Sequence, residues 1–348
     1  MASSISTIDL FCGAGGLSYG FEQAGLPVKA GYDIDPACKF PYEYNTGAEF
    51  ILEDVENVNG SDLAKYFSES SINVLVGCAP CQPFSSYSRR YADKQSRWKL
   101  LQDFARLVRE CEPEIVSMEN VLQLKHHSVF QEFTHQLEML SYSFEIYEVN
   151  CPDYGIPQTR KRLVLLASKF GQIDLIQPTH SVDKYNTVYR TIGHLEHLRA
   201  GQGSRSDRLH QCSRLSPLNL QRIRASTPGG TWRDWPKDLI AKCHTRASGK
   251  TYAGVYGRMK GDQPSPTITT QCFGFGNGRF GHPEQDRAIS LREAALLQTF
   301  PADYEFVAPN DPVTFGSLGK LIGNAVPVKL GKVIAQSILQ HINKSFKE

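Results

Sequence analysis

The stretch Thr7-Ile8-Asp9-Leu10-Phe11-Cys12-Gly13-Ala14-Gly15-Gly16 decides the fold of this chain. Residues 7–12 read as an apolar strand, the glycines as a tight turn, and the segment through Glu22 as a helix. Glycines in such a turn let the backbone approach a ligand, and the helix N-terminus attracts that ligand's polar end. A nicotinamide fingerprint beginning at Gly13-x-Gly15 needs glycine at its sixth position, where this chain has Ser18. Asp33, just past a second strand at 27–32, is placed to bond the ribose hydroxyls of an adenosine cofactor. At this level a cofactor turn and a tight turn without a ligand both remain open.

Outward from that turn, short apolar strands alternate with helical segments. Helix 36–44 is followed by a short strand at 50–51 and by INVLVG at 72–77, a continuous apolar run of buried-strand type. Leu100, Phe104, Leu107 and Val108 recur at helical spacing, a strand follows at 114–118, and Phe130, Phe133, Leu137 and Leu140 mark another helix. Strands at 143–149 and 163–168 complete the series. The alternation predicts an α/β fold with a mostly parallel, doubly wound sheet. After Gln177-Pro178 the periodicity fades, and Gly, Ser, Arg and His dominate 201–208, 227–231 and 274–281. Helices return at 291–299 and 326–342. The expected organisation is a catalytic domain over 1–178, a smaller loop-rich domain over 179–284, and a return segment over 285–348.

The chain has 348 residues, 41% hydrophobic, which is enough for a sizeable core and excludes a disordered or collagen-like protein. Its net charge of +2 conceals an asymmetry. Residues 181–280 carry 16 Lys/Arg against 6 Asp/Glu, while the remainder carries 22 against 30. A strongly basic third of the chain points to a polyanionic partner. The start, MASSISTIDLF, lacks a basic segment followed by an apolar core, and no apolar run approaches the roughly 20 residues of a membrane helix. Nine irregularly spaced cysteines fit reduced thiols, so a cytoplasmic protein is expected.

Cys78-Ala79-Pro80-Cys81 could be a redox pair or half a zinc site. Zinc would need a second close pair, which is absent, so no metal is expected. A redox pair should begin a helix, whereas Pro80 and Pro83 bracket Cys81 in an irregular turn at the carboxyl end of a strand. Ligands bind at that edge of an open α/β sheet. Cys81 is therefore a candidate nucleophile, with Cys78 packed behind it, and a buried structural thiol is the alternative. The run 84–99 (FSSYSRRYADKQSRWK) has five basic residues and one acid, and reads as a solvated loop or one that grips phosphates. Glu119 ends the strand that closes in Met118-Glu119-Asn120-Val121. Arg160 and Arg162, two apart in Gln158-Thr159-Arg160-Lys161-Arg162, share one side of an extended chain.

Taken in order, DLFCGAGG, GCAPCQPFS, MENV, YGIPQTRKR, REAALLQTFP and GNAVP resemble the cytosine-C5 DNA methyltransferase family of bacterial type, over nearly the whole chain. The Pro-Cys-Gln, Glu-Asn-Val and Gln-x-Arg-x-Arg trio is highly specific. The resemblance implies a Rossmann-like class I methyltransferase fold whose basic insertion is the target-recognition domain. It implies that Cys81 attacks carbon 6 of a flipped cytosine, making carbon 5 nucleophilic. Glu119 would contact N3 and the exocyclic amine, Arg162 the O2 oxygen, and Arg160 would support Glu119 and the loop. The implied methyl donor is S-adenosylmethionine, leaving as S-adenosylhomocysteine. Its expected site comprises Phe11, Gly13, Gly15, Gly16, Asp33, Ile34, Asp54, Pro80, Leu100, Asn324 and Val326. Family members often carry Glu at the position of Asp33 and an aromatic residue at that of Ile34.

The implied partner is double-stranded DNA, with a cognate restriction endonuclease acting separately where one exists; no membrane is involved, and a monomer is expected. Gln82, Ser85, Arg89, Arg97, Arg222, Arg224, Arg233, Arg246 and Arg258 are the candidate DNA contacts. Three rivals are weighed against this reading. An RNA methyltransferase of the same fold would have a shorter or less basic insertion. A silent DNA-binding relative would have lost Cys81, Glu119 or Arg162. A nicotinamide oxidoreductase accounts only for the first 35 residues.

Overall fold

A computed structural model describes residues 4–67, 70–80, 99–246 and 249–346. Contacts divide the chain into two compact units. The first comprises Met1–Tyr154, Lys161–Thr179 and Val326–Glu348; the second comprises Gly155–Arg160 and His180–Ala325.

The first unit is built on seven strands: β1 (Ile5–Leu10), β2 (Val28–Asp33), β3 (Glu49–Leu52), β4 (Ile72–Gly77), β5 (Ile115–Asn120), β6 (Ser143–Asn150) and β7 (Lys161–Ser168). Their order is β3-β2-β1-β4-β5-β7-β6. All neighbours are parallel except β7, which runs antiparallel to both β5 and β6. The expected α/β fold with a mostly parallel, doubly wound sheet is therefore present, closed at one side by an antiparallel pair. Strand order reverses between β1 and β4, the place where such sheets open a crevice at their carboxyl edge.

The helices of this unit are α1 (Gly16–Ala24), α2 (Lys39–Thr46), α3 (Gly60–Phe67), α4 (Lys99–Cys111) and α5 (Ser128–Met139). Helix α3 had no clear periodic signal in the sequence; it buries only Leu63 and Phe67. Side chains of α3, α4 and α5 form one core with the sheet, where Leu63, Leu107, Val108 and Phe133 meet Ile8, Leu10, Leu75 and Val116. Each large aliphatic or aromatic side chain buried there contributes about 1.5–3 kcal/mol. The last helix of the chain returns to this unit and crosses α1 at close range. It spans Val328–Ser345 and, among the described residues, is the eleventh α-helix, α11, following five in the second unit. A Cβ on Gly20 would stand 2.4 Å from the carbonyl oxygen of Val328, and one on Gly331 would stand 2.7 Å from that of Leu17. The backbones can approach this closely only because both positions are glycine.

The second unit has short helices α6 (Val188–Ile192), α7 (Pro217–Arg224), α8 (Lys242–Thr245), α9 (Leu291–Leu297) and α10 (Phe315–Asn324). Its described residues form isolated bridges instead of named strands. The expected loop-rich texture is present, but the contact-based boundary differs from the expected one. Residues 285–325 cluster with the basic segment, and only the chain from Val326 onward joins the sheet unit. A core of Ile223, Trp232, Trp235, Leu239, Phe275 and Ala288 lies within this second unit.

Candidate active site

The turn after β1 adopts the backbone that its glycines predict. Gly13 and Gly15 have φ of +54° and +86°, and Gly15 is the N-cap of α1. Phe11 also has positive φ, at 61°, an uncommon state for a bulky residue and one that clusters at functional turns. Asp33, at the end of β2, is tied to this turn: one carboxylate oxygen accepts the Gly13 N–H at 2.9 Å, and the other accepts the Asp35 N–H at 2.9 Å. Gly16 begins α1 and is buried. Ile34 is 66% exposed, and Leu52, at the end of β3, is 54% exposed. Asp54 is half-buried, and its carboxylate accepts the Glu56 N–H.

Ser18, which argued against a nicotinamide fingerprint, has its own purpose. Its hydroxyl donates to Asp9 Oδ2 at 2.6 Å and lies 2.9 Å from the Tyr42 hydroxyl, all within the core. Asp9 Oδ1 has no hydrogen-bond partner. Burial, partly offset by Ser18 and reinforced by the charge of Asp33, pushes the Asp9 carboxyl up to about 7. Burial likewise pushes the Cys12 thiol well above its ordinary range.

On the other side of the crevice, β5 carries Glu119 to the carboxyl edge, where it is only 2% exposed. Arg162, at the start of β7, places Nε 2.7 Å from Glu119 Oε1. That N–H is not directed along the contact, so Oε1 has charge compensation but no hydrogen bond. Cys78, just beyond β4, donates its thiol to Glu119 Oε2 at 2.8 Å. The expectation that Cys78 is packing alone is therefore corrected: it touches the carboxylate. Asn120 donates from Nδ2 to the Ala79 carbonyl at 3.2 Å, tying the chain before Pro80 to β5. Pro80 is exposed, and Leu100 lies half-buried in the first turn of α4. Cys81, Gln82, Ser85, Arg89 and Arg97 lie outside the described residues.

Arg160 is buried. It belongs to the second unit, where its guanidinium donates to the carbonyls of Ile268 and Ala325 at 3.4 and 3.5 Å. Glu119 itself is held by Arg162 and Cys78. Arg160 and Arg162, although two residues apart, serve different units. Two glutamines inside the quoted motifs, Gln158 and Gln298, act as hydrogen-bond hubs. Gln158 accepts the Ile268 N–H and donates to Gln298 Oε1, and Gln298 donates to the carbonyls of Ile322 and Ala325. Such hubs leave no periodic signal, because their partners lie from 24 to 140 residues away in the chain. Asn324 is exposed at the end of α10 in the second unit, whereas Val326 is buried in the first.

The candidate DNA contacts separate by burial. Arg258 is 5% exposed, and its guanidinium donates to the carbonyls of Ile223, Ser226, His282 and Gln285 and pairs with Asp286. Buried and bonded to the protein's own carbonyls, it is corrected from a DNA contact to a structural residue. Arg222 is half-buried, donates to the Leu239 carbonyl and to Asn219, and lies over the rings of Trp235 and Tyr256. Arg224, Arg233 and Arg246 are exposed; Arg224 pairs with Asp286, and Arg233 donates to the Lys250 carbonyl. Among the described residues, no group of three or more His, Cys, Asp or Glu is arranged to hold a metal ion, and no helix is long and apolar enough to cross a membrane.

A doubly wound sheet with a glycine turn after β1 and a buried acid bracketed by a thiol and a guanidinium has the framework of a class I methyltransferase. The chain belongs to the C-5 cytosine-specific DNA methylase family, whose model matches residues 5–340, and it is a DNA (cytosine-5-)-methyltransferase. It is 52% identical to the Type II methylase M.HgiDII of Herpetosiphon aurantiacus, covering 96% of this chain and 94% of the relative. It is 32% identical to the Type II methyltransferase M1.HphI of Haemophilus parahaemolyticus, over 97% of this chain and 87% of that one. Among solved structures, the Entamoeba histolytica methyltransferase EhMeth superposes with a TM-score of 0.63 at 18% identity, covering 99% of each chain. That likeness concerns the fold. The family match and the Type II relatives favour DNA over RNA as the substrate.

Proposed function

We propose that this protein transfers a methyl group from S-adenosylmethionine to carbon 5 of a cytosine flipped out of a specific double-stranded DNA sequence, through a covalent bond between Cys81 and carbon 6. The observation that carries this reading is Glu119: a buried carboxylate at the sheet's carboxyl edge, compensated by Arg162 and bonded by Cys78, with Oε1 lacking a hydrogen-bond donor. A buried, charge-compensated carboxylate at the ligand-binding edge of the sheet suits a site that the amino edge of a base completes.

The residues around the first turn fit an adenosine donor. An added Cβ on Gly13 would meet no atom within 4 Å, so open space lies beside the turn, and the exposed apolar side chains of Ile34 and Leu52 suit a purine face. Phe11, Gly13, Gly15 and Gly16 would line the donor, with Asp33 and Asp54 toward its ribose and adenine. Pro80, Leu100, Asn324 and Val326 complete the proposed set. When bound, S-adenosylmethionine supplies an electrophilic methyl group. Attack by the Cys81 thiolate on carbon 6 moves electron density into the ring toward carbon 5. Glu119 orients N3 and the exocyclic amine as that density shifts, while Arg162 stabilises charge growing on O2. After transfer, loss of the carbon-5 proton and departure of the Cys81 sulfur restore aromaticity.

The basic segment would recognise the DNA sequence, with Arg224, Arg233 and Arg246 as its exposed candidates; Gln82, Ser85, Arg89 and Arg97 would act near the base. Type II relatives support a role in protecting DNA from a separate endonuclease, and a cytoplasmic monomer is the state in which we expect it to act. The direct test is duplex DNA carrying 5-fluorocytosine at the target, identified by bisulfite sequencing of DNA from expressing cells. Wild-type protein with the donor is expected to form a covalent complex, and Cys81→Ser none. A complex formed by Cys81→Ser would overturn the nucleophile assignment.

A further inference from the structure

We infer that Cys78 is a positioning residue for the reaction: its thiol holds the Glu119 carboxylate in place from the neighbouring strand. The inference rests on the proposed contact of Glu119 with the base, and it concerns a residue that the proposed chemistry leaves unused.

Register creates the contact. In the parallel β4–β5 pair Gly77 stands opposite Met118, so the chain one step on sets Cys78 beside Glu119 at the carboxyl edge. Adjacent strands are about 4.8 Å apart, a separation that two short-reaching side chains can bridge. The Cys78 backbone is held there by its N–H, which donates to the Leu10 carbonyl at 3.3 Å. Strand β7 approaches β5 from the opposite side and delivers Arg162. Glu119 is thus bracketed by both neighbouring strands: a thiol occupies Oε2, and a guanidinium compensates charge at Oε1.

The two contacts divide the labour between the oxygens. With Oε2 accepting the S–H, the oxygen left without a hydrogen bond is Oε1. The thiol selects the carboxylate rotation that presents Oε1 for a hydrogen bond to substrate. Arg162 alone does not impose this orientation, because its N–H is not aligned with the contact. Alanine at 78 would remove the bond to Oε2 and allow the carboxylate to turn toward the guanidinium. Serine would restore a donor at the same place.

Steady-state kinetics on target duplex and the S–H stretching band together test this. Cys78→Ala is expected to lower kcat about tenfold, the effect of losing one hydrogen bond to a charged group, with the KM for S-adenosylmethionine unchanged. Cys78→Ser should recover to within about threefold of wild type, since a hydroxyl donates in place of the thiol. In a Glu119→Gln background, Cys78→Ala should add no further loss, because the two residues act as one unit. The infrared difference spectrum between wild type and Cys78→Ser should contain a hydrogen-bonded S–H band that moves to higher frequency in Glu119→Gln. Serine no better than alanine, independent multiplication of the two losses, or an S–H band indifferent to Glu119 would each overturn the inference. The infrared result does not depend on turnover, so absence of covalent trapping by wild-type protein would count against the proposed reaction and leave the contact itself separately decided.

Discussion

The two compact units satisfy their backbones in different ways. In the first, seven strands bond one another, so side chains at the sheet edge are free to carry chemistry. In the second, the connections are mostly irregular, and side chains do the work that a sheet ladder would do. Arg258 accepts this task for four carbonyls, Arg208 for those of Ala308, Pro309 and Asp311, and Gln298 for those of Ile322 and Ala325. The excess of arginine in the basic segment therefore has two causes. Some arginines face outward as a polyanion partner requires, while others fasten a loop-rich fold, buried as Arg258 is or exposed as Arg208 is. Net charge counts both alike; their hydrogen-bond partners tell them apart.

The comparison breaks first at Arg258. Arg258→Ala would leave the Ser226 and His282 carbonyls without a donor, while those of Ile223 and Gln285 keep backbone N–H donors and Asp286 keeps Arg224, so a loss of about 1–3 kcal/mol per stranded carbonyl is expected in urea unfolding. A change within experimental error would show that the second unit does not depend on its buried arginine.

The first unit's counterpart is Asp9, a buried acid without a cation. Its carboxyl is raised from 3.8 to about 7, so between those values the folded protein holds a proton that the unfolded chain has lost. Stability must then fall as pH rises from about 4 to 7 and level off above, by an amount on the order of a few kcal/mol. Asp9→Asn should remove that part of the pH slope in unfolding measurements made without DNA or donor. An unchanged slope would show that other groups govern the acid-side behaviour.

The smallest expected effect sharpens the distinction among arginines. Arg246→Ala should leave stability unaltered and reduce the salt dependence of duplex binding by about one unit of slope, as for a phosphate contact. Filter binding across a salt series measures it. An unchanged slope would remove Arg246 from the interface.

Much of the sheet unit was legible from residue pattern. Buried parallel strands must be apolar on both faces, and INVLVG announced β4 without help from its neighbours. The glycine turn was equally clear, since positive φ at Gly13 and Gly15 is a demand that residue type records. Helix α3 was not legible, because two buried side chains over eight residues leave too little periodicity. The antiparallel direction of β7 was hidden for a different reason: an apolar strand reads the same from either end. The motif residues Glu119 and Arg162 could be named, but the pairing between them depends on strand order.

Residue type by itself determined the α/β class, the reaction family and the two-part division into an acidic sheet region and a basic loop region. Those properties rest on local chemistry: backbone conformation, burial periodicity and the reactive groups at motif positions. Tertiary structure alone decided that residues 285–325 join the basic segment, that Arg258 is an internal fastener, and that Cys78 touches Glu119. Each of these joins groups far apart in the chain. Whether a charged or sulfur-bearing side chain reads DNA, holds a loop or steers a carboxylate depends on the partners that folding brings within about 3 Å, the reach of a hydrogen bond.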